Sequence, residues 1–107
     1  MAAMPQSSLT IKRIVHFGDD RDKNIQTKLS KGDLEEAEFF CKDRDLYVTF
    51  NYDEGSPFEK DCFHVHRGEV VPSGPLKKGV PIGGIYRYRV ETMGTVAGTD
   101  PEIIITN

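Results

Sequence analysis

Side-chain hydropathy along this chain alternates with a period of two, and no stretch sustains the 3.6-residue period of an amphipathic helix. Ile11, Val15 and Phe17 alternate with Lys12, Ile14 and His16, predicting a first strand over residues 10–17. Gly18-Asp19-Asp20-Arg21-Asp22 breaks it, and Ile25, Thr27 and Leu29 give a second, weaker strand. Asp33 and Glu36 have the spacing of a helix capping box, which leaves room for at most one helical turn. Phe39-Phe40-Cys41 and Leu46-Tyr47-Val48-Thr49-Phe50 flank Asp43-Arg44-Asp45, a pattern that predicts a hairpin with a tight acidic turn. Asn51 to Pro57 reads as a loop, with Phe58 turned inward beneath it. Phe63 and Val65 then alternate with Cys62, His64 and His66 in a further strand.

Residues 68–84 carry Pro72, Pro75, Pro81 and several glycines, which predicts a long irregular connection. Over 85–91, Tyr86, Tyr88 and Val90 face one way and Arg87, Arg89 and Glu91 the other, while Ile103-Ile104-Ile105 closes the chain as a buried strand. About seven short strands at this spacing predict an all-β fold, an antiparallel Greek-key β-sandwich. A disordered tail over 1–9 is expected to precede a single domain over 10–107, since 107 residues hold one core of ordinary size. The leading residues have neither a charged start nor an apolar core, so they do not resemble a signal peptide, and a cytoplasmic protein with reduced thiols is expected. A periplasmic or secreted protein is the alternative if a signal peptide has been removed.

Charge narrows the partners. A net charge of −3 lacks the basic face that phosphate backbones require, so nucleic acid is not an expected partner. No run approaches the ~20 apolar residues that span a bilayer, so no membrane partner is expected either. Another protein, or self-association through a sheet edge, is the expected kind of contact. The 68–84 connection is its expected site, because long loops in small domains are commonly functional.

The closing segment, Gly84-Ile85-Tyr86-Arg87-Tyr88-Arg89-Val90-Glu91 with Met93-Gly94 and Asp100-Pro101-Glu102-Ile103-Ile104-Ile105, resembles the last strands of cupredoxin-like domains. Asn51 and Ser56-Pro57-Phe58 are similar to the part of that fold after its central hairpin, so the resemblance spans about two-thirds of the chain. A subset of small bacterial cupredoxin-like proteins shows a similar Tyr-x-Tyr strand with a similar late ending. In blue-copper members the residue two places after the second Tyr is a copper-binding Cys, and here it is Val90. The following loop has no His, and Phe58 stands near the place of another expected His. Met93 alone cannot hold copper, so the resemblance implies the scaffold without its blue-copper centre.

Cys62, His64 and His66 are the one candidate metal set, in a chain with 2 Cys and 3 His. At ~3.3 Å per residue, alternate strand residues lie ~6.6 Å apart, so two neighbours can converge on one ion but three on a flat strand cannot. His64 and His66 would then need a third ligand, with His16, Cys41, Asp61 and Glu69 as candidates. The simpler reading makes all three the wet side of a strand whose Phe63 and Val65 face the core. Cys41, after two phenylalanines, reads as a small buried hydrophobe. Glu35, Glu36, Glu38, Asp19 and Asp20 read as solvated surface, and Arg87 and Arg89 as a cationic stripe that at most docks an acidic partner. No catalytic constellation is visible. The expectation is therefore a non-enzymatic binding domain with no cofactor, the alternative being a copper- or zinc-binding protein using His64 and His66.

Overall fold

Alternating burial builds this protein from short strands. The computed structural model describes residues 11–17, 26–92, 95–96 and 101–107; the expected tail at 1–9 and Met93 lie outside them. Ten strands form: β1 (Lys12–Phe17), β2 (Gln26–Ser30), β3 (Glu36–Cys41), β4 (Leu46–Thr49), β5 (Cys62–Val65), β6 (Val70–Pro72), β7 (Ile85–Arg87), β8 (Arg89–Thr92), β9 (Thr95–Val96) and β10 (Glu102–Thr106). Among the described residues there is no helix, hence none long and apolar enough to cross a membrane.

The strands form three sheets, ordered β1-β3-β6, β2-β10-β7 and β5-β4-β8-β9. Phe39 of β3 meets Phe63 of β5 at 5.2 Å and Tyr88 at 6.2 Å, so the first sheet packs across the core onto the third. Phe17, Phe50 and Phe58 complete this aromatic centre, with Leu29, Ile103 and Ile105 buried beside it.

The all-β expectation holds, with two corrections. The sheets are mixed and not purely antiparallel, since β1 runs parallel to β3 and β2 runs parallel to β10. The chain leaves the first sheet after β1, runs through β2 in the second, and returns to lie beside β1 in the same direction. Among the described residues there are ten short strands against the expected seven, and β7 and β8 are separate only by a break at Tyr88, whose N–H donates to Pro101 O in continuation of the β7–β10 register.

The hairpin expected over 39–50 is also corrected. β3 pairs with β1 and β6, while β4 pairs with β5 and β8, so residues 42–45 arch from one sheet to another. Periodicity shows which face of a strand is buried, not which strand lies beside it. The helical turn expected after Asp33 is instead a tight turn over 31–34, in which Asp33 N donates to Ser30 Oγ and Leu34 takes a φ of 59°. Residues 68–84 are not wholly irregular, because β6 pairs there with β3. Ser73 receives the Ala37 N–H at its Oγ, Leu76 bridges Phe58, and Val80 is buried.

Tyr88 is fully buried and its hydroxyl has no hydrogen-bond partner among the described residues; burial pushes its ionisation well above the usual range. An unpaired buried hydroxyl is a net cost, and Phe fills nearly the same space. Tyr88→Phe is therefore expected to raise stability by about 1 kcal/mol, read as a higher urea midpoint with an unchanged slope.

Candidate functional site

The antiparallel register of β4 and β5 determines what surrounds the two histidines. Leu46 pairs with Val65, Tyr47 with His64 and Thr49 with Cys62. Leu46 and Val65 face the core, and Tyr47, His64 and Cys62 face out. One step beyond the ladder, the same register sets Asp45 across from His66. The outer face thus carries Asp45 and His66 at one end, Tyr47 and His64 in the middle, and Thr49 and Cys62 at the other.

Of the expected trio, the structure brings together His64 and His66, whose ring centroids are 3.9 Å apart. Cys62 stands away from them, with its Sγ 3.8 Å from Thr49 Oγ1. Asp45 takes the third place. Its Oδ2 lies 3.9 Å from His64 Nε2 and 3.7 Å from His66 Nδ1, and one donor atom from each of the three lies within 4.8 Å of the others. None of His16, Cys41, Asp61 or Glu69 joins this group. His16 is turned edge-on to Phe40, and Cys41 is buried with its thiol donating to Asp43.

Two backbone contacts hold the acidic arch against the turn after β5. Asp45 Oδ1 accepts the Arg67 N–H at 2.8 Å, and Cys41 O accepts the Gly68 N–H at 2.8 Å. Gly68 takes a φ of 80°, which a side chain would resist, so glycine is what lets the turn reach back to Cys41. The Arg67 N–H holds the Asp45 carboxyl below its ordinary range, and the nearby His66 and His64 act in the same direction. Tyr47 stacks on His64 at 4.3 Å with an interplanar angle of 18°. Asp45 was hidden from sequence reading because 12 residues, 50–61, separate β4 from β5 and leave their register unspecified.

The expected cationic stripe is not free. Glu54 accepts three hydrogen bonds from Arg87, which also lies over Tyr52 at 4.5 Å, and Arg89 lies over the same ring at 5.4 Å. The Arg87 guanidinium, followed by its backbone N–H, brings the Glu54 carboxyl down to about 2.

A second surface lies at the end of the molecule where β10 finishes. Lys31 N donates to Thr106 O, Gly83 N to Ile105 O, and Lys31 Nζ to Val80 O. These bonds fasten the 31–34 turn and the 81–84 turn to the same end of one strand. Leu34 is 70% exposed there, Ile82 57% and Ile85 51%.

Comparison of the chain with protein-family models, curated proteins and solved structures finds no match.

Proposed function

We propose that the chain is a small non-enzymatic interaction domain of cupredoxin-like, Greek-key build that presents its Leu34, Ile82 and Ile85 end to another polypeptide. The strand order supports the build. β7 pairs with β10 and the following β8 pairs with β4 and β9, so β7 and β8 behave as one strand bent at Tyr88. The sheets β2-β10-β7 and β5-β4-β8-β9 are then joined through β7 and β8 and stand opposite β1-β3-β6, with repeated crossings between the layers. Crossings of this kind between two packed sheets are what a Greek key produces.

Leu34 carries the interaction reading. A Leu in the left-handed region is strained, and at 70% exposure it recovers nothing by burial. Asn or Gly would suit the turn better, so neither folding preference nor core packing accounts for a large apolar side chain at its tip. Contact with a partner does. Of the expected 68–84 contact region, the part that serves is 81–84, continuing into Ile85, because Ser73, Leu76 and Val80 are committed to the core.

Leu34→Asn is expected to raise stability by about 1 kcal/mol in urea unfolding while weakening partner capture. Photo-crosslinking side chains placed at positions 34 and 82 in the intact chain test the contact inside cells. Discrete adducts from both positions, and none from exposed Glu59, support it; an adduct of doubled mass identifies the partner as a second copy. Equal labelling from all three positions, or none from 34 and 82, overturns it.

A further inference from the structure

We propose that Asp45, His64 and His66 form a binding site for a borderline divalent transition ion of the Zn²⁺ or Cu²⁺ class. This goes beyond the interaction reading and is independent of it, since Asp45 lies in the 42–45 arch, His64 in β5 and His66 just after it. Three observations carry it.

The first is spacing. The Asp45 oxygen stands 3.9 and 3.7 Å from the two imidazole nitrogens, too far for hydrogen bonds, which run ~2.7–3.2 Å. Three hydrogen-bonding groups thus face one another across a gap that none of them bridges. An ion ~2.0–2.2 Å from each donor, in tetrahedral geometry, sets donors roughly 3.3–3.5 Å apart. Small rotations about the exposed side-chain bonds bring Oδ2 to that distance from each nitrogen, and one donor atom from each of the three residues already lies within 4.8 Å of the others.

The second is preorganisation. The Arg67 N–H occupies Oδ1 of Asp45, which leaves Oδ2 directed at the histidines. Tyr47 stacked on His64 limits rotation of that ring, and the β4–β5 register sets the separation of the two strands. Neighbours that orient first ligands in this way commonly contribute 10–100-fold in metal affinity.

The third is donor chemistry. Two imidazoles and one carboxylate suit Zn²⁺, Cu²⁺ or Ni²⁺, whereas Ca²⁺ and Mg²⁺ need a cage of oxygens. With Cys62 set apart beside Thr49, no thiolate joins the set to favour Cu⁺. Three protein ligands on an exposed face leave the remaining positions to water. The site is separate from the position where the cupredoxin-like resemblance places Val90.

Titration of the full chain, purified without a histidine tag, with Zn²⁺ alone tests the site by calorimetry. One ion per chain is expected, unaffected by millimolar Mg²⁺. Asp45→Asn keeps the acceptor for Arg67 but removes the charge, and it should weaken binding at least ~10-fold; His66→Ala should weaken it ~100-fold. Cys62→Ser should leave binding unchanged. Because all these residues are exposed, circular dichroism of the variants should match the wild type. Binding by Asp45→Asn within threefold of wild type reduces the site to an ordinary pair of surface histidines and overturns the proposal. Loss of binding in Cys62→Ser, or less than one ion per chain at saturation, overturns it as well.

Discussion

Phe39→Ala should cost about 3–5 kcal/mol, enough to leave the domain largely unfolded at 37 °C if its total stability is near the low end of the usual ~5–15 kcal/mol. Phe39 is fully buried in β3, and its ring meets three other aromatic rings of the core. Phe17 lies 6.3 Å away in β1, Phe63 5.2 Å in β5, and Tyr88 6.2 Å at the junction of β7 and β8. Removing it opens a cavity where two sheets meet, and neither sheet can collapse into that space without sliding its own ladder. Phe40, one residue on, points the other way and is only half-buried against His16. Phe40→Ala should cost about 1 kcal/mol. Chemical unfolding of the two variants side by side gives the comparison. Equal losses would mean that the two sheets do not meet at Phe39.

This pair of neighbours also shows what the sequence can reveal. The period-two pattern assigns inward and outward residues correctly along β3, β4, β5 and β8, because the pleat dictates it. Val48, Phe63, Val65, Tyr88 and Val90 are all buried, and Cys41 and Phe58 turn inward as their neighbours suggest. Pairing is another matter. Phe39-Phe40-Cys41 and Leu46 to Phe50 have every local mark of a hairpin, yet residues 42–45 carry the chain from one sheet to another. The choice is made by distant partners, Lys12–Phe17 and Val70–Pro72, which alternation in a single segment cannot specify. The same limit hid Asp45. His64 and His66 stand out by type and spacing, but their carboxylate neighbour follows from the register of β4 against β5. Leu34 was invisible for another reason, since nothing in Lys31-Gly32-Asp33-Leu34 signals that the apolar residue takes the left-handed position.

Glu35 reads from sequence as one more solvated acid, and its replacement is expected to have the second-largest effect. It is buried, at the end of the turn that carries the chain from β2 back to β3. Oε1 accepts Ser30 N at 2.9 Å and Arg13 Nε at 3.2 Å, while Oε2 accepts Arg13 Nη2 at 2.6 Å. One carboxylate therefore ties β1 of the first sheet to β2 of the second. Glu35→Ala should cost about 2–3 kcal/mol at neutral pH, because the Ser30 N–H loses a charged acceptor in a buried place. The hydrogen bonds from Arg13 are the largest influence on the carboxyl and hold it below its ordinary range; burial opposes them, and the Ser30 N–H adds to them. A carboxyl depressed in the folded protein stabilises it above the unfolded carboxyl value, near ~4.3. That contribution is lost as pH falls through the lower, folded value. Glu35→Gln has no such titration, so its deficit relative to wild type should be greatest near pH 7 and shrink below about pH 4. Urea midpoints of the two proteins between pH 7 and pH 3 provide the measurement. A deficit that stays constant over that range would show that shape, and not the charged bonds to Arg13 and Ser30, is what Glu35 supplies. A deficit that narrows in acid makes Glu35 the electrostatic joint between β1, through Arg13, and β2, through Ser30.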